Sequence, residues 1–248
     1  QRLVTSNPSP AYVARVAAAF NNNGSGVRGD LKAVWSAILL DDEARSPAGL
    51  TQASFGRLRE PMLRLVQWGR TFGITSALGS WKIGDLSNTA SQLGQSPLRS
   101  PSVFNFFRPG YVPPSTALAT SKAVAPEFQI VNESTVGGYL NYLQGVVRNG
   151  IYANAPDQPN AGSNASNGYD ITAAYTGELA LVTDAVALVK RLSLLLCADQ
   201  LSASTQTLIV NALNATPVTA ASTDTVKRNR VAAAVLMVMA SAEYLVQK

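Results

Sequence analysis

The chain has 248 residues, 46% hydrophobic and 14% charged, which supports a sizeable core and excludes a globally disordered protein. It holds no histidine and one cysteine. Within these residues that excludes Ser-His-Asp and Cys-His nucleophiles, histidine-ligated zinc or haem, and an intrachain disulfide. The net charge of +5 comes from 20 bases and 15 acids spread along the chain, so the concentrated cationic face that nucleic acid requires is not encoded.

The dominant period is helical. Ser9 and Pro10 form an N-cap and first-turn pair for "AYVARVAAAF", and "NNNGSG" ends that helix with residues that tolerate left-handed backbone. From Gly29, Leu31, Val34, Trp35, Ile38 and Leu39 share one face of an amphipathic helix. The acids that follow, Asp41, Asp42 and Glu43, are consecutive and do not converge, so they read as solvated helix-end charges. "REPMLRLVQWGRTF" starts a third helix at Pro61 that buries Met62, Leu65, Val66 and Trp68.

Residues 74–132 break the period with recurrent Pro and Gly, and read as a long irregular segment. "APEFQIVN" within it is the one plausible short strand. At its centre, "SPSVFNFFRPGYVPP" sets Phe104, Asn105, Phe106, Phe107, Arg108 and Tyr111 among four prolines. The three phenylalanines cannot share one face in either a helix or a strand, so at least one addresses a second surface. Prolines hold the stretch extended and aromatics bury large areas with few rotors, which suits a clasp. Arg108 is placed to stack on a ring or reach a carboxylate such as Glu127. An intramolecular clasp is weighed against a ligand groove.

Helical period returns at "NESTVGGYLNYLQGVV", with Val136, Tyr139, Leu140, Leu143 and Val147 on one face. Gly137 and Gly138 each weaken that helix by about 1 kcal/mol relative to Ala, and so point to close approach by a neighbouring backbone. Residues 152–170 read as a mobile polar loop, which carries the glycosylation pattern Asn164-Ala-Ser166; a second such pattern starts at Asn132. Three more helices follow, one with apolar positions 182, 185, 189, 192 and 196. The next is capped by Ser202 and buries Leu208, Ile209, Ala212 and Leu213; the last starts at Ser222 to Asp224. Cys197 lies among leucines as a small buried hydrophobe. Lys227, Arg228 and Arg230 sit at a helix start, where cations oppose the helix dipole; such a misfit marks an anionic partner, an acidic neighbouring helix, or nothing. The most apolar run, Val231 to Val246, is shorter than the about 20 residues of a membrane span and contains Glu243.

The predicted fold is therefore predominantly α, one helical domain over 1–248 with about seven helices and the clasp segment at 74–132. No metal site and no cofactor are implied.

The stretches "LGQSPLRSPSVFNFFRPGYVPP", "APEFQIVNEST", "RVAAAVLMVMASAEYLVQK" and the first 45 residues together resemble the C-terminal half of a bacterial family known as domain of unknown function 1800. The resemblance implies an exported protein, periplasmic or extracellular, and carries no catalytic residues. The first residues read as the end of an element that begins elsewhere, as in one part of a longer protein. The functional expectation is an interaction subunit that packs on a missing N-terminal half or on another exported protein. Its rivals are the substrate-cleft half of an exported enzyme, with Asn105, Arg108, Tyr111 and Glu127 as binding groups, and a glycan or small-ligand site on the aromatics.

Overall fold

The computed structural model describes residues 1–153 and 168–248. In chain order the helices are α1 (Pro10–Asn21), α2 (Leu31–Leu39), α3 (Asp42–Arg45), α4 (Pro61–Thr71), α5 (Ala117–Thr120), α6 (Glu133–Asn149), α7 (Thr176–Leu179), α8 (Ala185–Cys197), α9 (Ala203–Asn214), α10 (Asp224–Ala240) and α11 (Ala242–Leu245). Seven of these exceed two turns and coincide with the seven periodic stretches; the other four are single turns. The strands are short: β1 (Arg57–Leu58), β2 (Thr75–Ser76), β3 (Ile151–Ala153), β4 (Gly168–Thr172) and β5 (Val246–Gln247). The chain is predominantly α-helical, as its apolar spacing dictates.

The chain forms two compact units. The first gathers Gln1–Arg59, Phe104–Gln129 and Val246–Lys248; the second gathers Glu60–Val103 and Ile130–Leu245. Units assembled from separated stretches leave no boundary signal in composition.

In the second unit α10 is the central helix. Val231, Ala234, Val235, Val238 and Met239 are fully enclosed, and α10 packs on α6, α8 and α9. Asp184 and Ser202 cap α8 and α9 through the amides of Ala187 and Thr205. The α9 face is narrower than its spacing suggests. Ile209 and Leu213 are buried while Leu208 and Ala212 face outward, because only a strict i, i+4 row reaches α8 and α10. Gly138 meets the expectation of close approach: a Cβ there would strike the carbonyl of Thr89, whereas Gly137 has open space around it.

From residue 77 to 116 there is no helix or strand. The strand expected at "APEFQIVN" is instead a 3-10 turn, Pro126–Gln129, followed by the start of α6, since Pro126 removes a ladder donor and Asn132 caps α6 with Thr135. Two antiparallel sheets form among the described residues, β1-β5 and β2-β4-β3, and the loop expected at 152–170 borders the second. The strands of this second sheet include residues 152–153 and 168–170, the edges of the expected mobile loop; residues 154–167, with the pattern at Asn164, lie outside the described residues.

Asp170 on β4 anchors the irregular chain beside this sheet. Its carboxylate accepts from the hydroxyls of Ser76 (2.7 Å) and Ser80 (2.7 Å) and from the amide of Leu78 (2.6 Å), and its side chain is buried. Burial alone pushes this carboxyl up; the amide of Leu78 and the two hydroxyls outweigh that and hold it below the usual carboxylate range. A lowered folded-state pKa gives stability that is present above the unfolded value of about 4 and lost as pH falls through the folded value. Asp170→Asn is expected to lower stability by on the order of 3 kcal/mol at pH 7 and to flatten the acid limb of a melting-temperature profile. An unchanged acid limb in the variant would refute this role.

Candidate functional site

A broad apolar groove lies in the first unit. Its origin is a tight αα-hairpin. Ser9 caps α1 by accepting from the amide of Tyr12, and Pro10 occupies the first turn. The connection "NNNGSG" is closed on itself. Asn22 Oδ1 accepts from the amides of Gly24 and Gly26, and Asn23 Oδ1 accepts from those of Ser25 and Val27. Those donors are thereby engaged internally and do not form a phosphate cradle. Gly24 and Gly26 have φ of 92° and 81°, which a side chain would oppose. Asp30, unmarked by the apolar pattern, caps α2 through the amides of Lys32 and Ala33.

Of the three acids after α2, Asp42 is exposed as the sequence suggests, whereas Asp41 and Glu43 are ties. Asp41 accepts two bonds from the Arg15 guanidinium (2.7 and 2.8 Å), and Glu43 accepts from the amide of Ser9 (2.8 Å) and from its hydroxyl. Arg15 holds the Asp41 carboxyl below its ordinary range. The Tyr12 hydroxyl donates to the carbonyl of Ile38. These bonds fix α1 and α2 against one another through polar groups at their ends.

The apolar faces are left open. No residue of α2 is buried, although Leu31, Val34, Trp35, Ile38 and Leu39 share the predicted face, and of α1 only Tyr12 is enclosed. Trp35 is 50% exposed, Leu31 63%, Val13 53% and Phe20 41%. Between the helices and the aromatic segment runs a groove of about 590 Å³, walled by Val13, Val16, Phe20, Trp35, Ile38 and Phe107. The Arg2 guanidinium lies 3.8 Å above the ring of Phe107, and that of Arg28 lies 5.7 Å from the ring of Phe20.

Of the seven residues singled out in sequence, Phe107 lines this groove and is buried. Phe106 is half-buried and Phe104 is 65% exposed, so the three rings address different surroundings, as their spacing requires. Asn105 takes a left-handed φ of 70° and accepts from the amide of Phe106, which turns the chain between the rings. Arg108 is exposed and makes no ion pair with Glu127; its amide donates to Gln129 Oε1 (2.9 Å). Tyr111 is half-buried, and its carbonyl accepts from the amide of Ala125 (2.8 Å). Glu127 is buried on the 3-10 turn that packs against β1. The segment is thus tied to its own unit, with the side chain of Asn7 exchanging two bonds with the backbone of Val124.

Among the described residues no three acidic or thiol side chains gather as metal ligands, and no helix is long and apolar enough to cross a membrane. The openness of α2 is not written in its sequence, because an amphipathic period reports a face to be covered and is silent on what covers it.

No curated protein and no solved structure matches the chain. The model of one family, described as a protein of unknown function (DUF1800), matches residues 1–246. That match runs along nearly the whole chain and gives no support to the narrower expectation of a C-terminal half. The chain belongs to the DUF1800 family.

Proposed function

We propose that this chain is an exported interaction subunit whose docking face is the groove on α1 and α2. The occupant is an amphipathic helix of a partner protein. The single observation that carries this is α2 itself: five apolar residues at helical spacing with none buried. A contiguous apolar surface of this kind, rimmed by paired charges, marks a protein contact in a folded chain. Both helices present rows at i, i+3, i+4 and i+7, Val13, Val16, Ala17 and Phe20 on one and Leu31, Val34, Trp35 and Ile38 on the other. A third helix fills the groove between two such rows by ridge-in-groove packing. Arg28 makes no ion pair within the described residues and stands beside Phe20 at the rim, which favours an acidic flank on the incoming helix. Export rests on the family resemblance.

A photoreactive benzoylphenylalanine in place of Trp35, expressed in the native host, tests the reading. One dominant adduct of defined mass is expected, suppressed by Val13→Glu and absent when the same group replaces the exposed Leu208 of α9. No adduct, or a ladder that follows protein abundance, refutes a dedicated partner; an adduct of twice the chain's mass makes a second copy the occupant instead.

A further inference from the structure

We propose that a polar pocket in the second unit binds a small tetrahedral oxyanion of the phosphate class. The pocket encloses about 250 Å³ at the carboxyl end of α6, beside β2 and β4. Two arginines from different helices line it, Arg148 from the last turn of α6 and Arg228 from the second turn of α10. Among the described residues its lining contains no carboxylate. Both arginines are exposed, and among the described residues neither makes an ion pair.

The remaining wall suits the same ligand. Thr75 and Thr172 are register partners of β2 and β4 and both line the pocket, and a threonine hydroxyl is a neutral donor of the kind that positions an oxyanion between cations. The carboxyl end of α6 would repel an anion through its free carbonyls. Two of those carbonyls are already engaged: that of Val146 accepts from the amide of Gly150 (2.8 Å), and that of Val147 accepts from the Tyr175 hydroxyl (2.9 Å). The turn is held rigidly, since Gly150 has φ of 94° and a Cβ there would strike the carbonyl of Ile171. At about 30 Å³ per water, the volume admits a five-atom ion with part of its hydration shell. Arg228 is one of the cations that oppose the dipole at the start of α10. Its neighbours are accounted for otherwise, because Lys227 donates to the carbonyl of Ala220 and Arg230 caps α9.

Titration of the 248-residue chain with inorganic phosphate at constant ionic strength, read by calorimetry, tests the site. One saturable site is expected, weakened about tenfold by Arg148→Gln and again by Arg228→Gln, as for loss of one charge-assisted pair, and unaffected by Lys190→Gln. Both arginines are exposed, so melting temperatures without phosphate should match the parent chain. Sulfate is expected to compete and acetate to compete poorly. Absence of saturable binding, equal affinity in the two arginine variants and the parent, or acetate binding as tightly as phosphate would overturn the proposal.

Discussion

Replacing Trp68 by Ala should remove about 3–5 kcal/mol of stability, the range for truncating a large aromatic in a packed core. Trp68 has no exposed surface, and its indole N–H donates to the hydroxyl of Tyr175 (2.7 Å). That hydroxyl donates onward to the carbonyl of Val147, and the ring of Tyr175 meets Phe72 edge-on at 4.9 Å. One polar chain thus links α4, α6 and the residue that precedes α7. Burial pushes the Tyr175 phenol well above its ordinary pKa, so the group stays neutral and serves as donor and acceptor together. Tyr175→Phe separates the polar part from the packing part. It keeps the ring but leaves the indole N–H and the Val147 carbonyl without this partner, and should cost about 1–3 kcal/mol. Urea denaturation of both variants checks the pair; a Phe variant as stable as the parent would show that the polar chain contributes nothing. The contrast lies in Trp35, whose truncation to Ala should change stability by less than about 1 kcal/mol, because its ring is half exposed on an uncovered helix.

The second large effect is expected at Arg230. Its side chain is buried in α10 and donates to the carbonyls of Leu213 (2.6 Å) and Thr216 (2.9 Å) and to Asn214 Oδ1 (3.1 Å). One guanidinium therefore closes the carboxyl end of α9, where the last carbonyls lack intrahelical partners and the dipole favours a cation. Desolvation pushes its pKa down, the cost of holding a charge here. Arg230→Met should destabilise the chain by about 3 kcal/mol, less than three charge-assisted bonds summed, since losses in one cluster are not additive. Hydrogen exchange should show the last turn of α9 opening first. Arg230→Lys should recover only part of the loss, because a point ammonium does not span three acceptors as a planar fork does. Equal stability of the Lys variant and the parent would contradict this geometry.

Much of the helical framework was legible. Ser9 with Pro10 and Ser202 before Ala203 announce their helices by local chemistry that needs no distant partner. The apolar row at 182, 185, 189, 192 and 196 is buried throughout because α8 lies within its own unit's core. The single-turn helices and two-residue strands were not legible, because pairs such as Arg57 with Gln247 join residues far apart in the chain and carry no local period.

The candidate site divides along the same line. Sequence alone determined that α2 has an apolar face, that Phe104, Phe106 and Phe107 must part company, and that histidine chemistry is absent from these residues. Tertiary structure decided that Phe107 goes inward and Phe104 outward, that Asp41 and Glu43 hold α1 in place, and that the α2 face stays open. The physical reason is range. Capping, turn geometry and apolar period act over four or five residues and are written in neighbours, whereas burial depends on which remote surface arrives to exclude water.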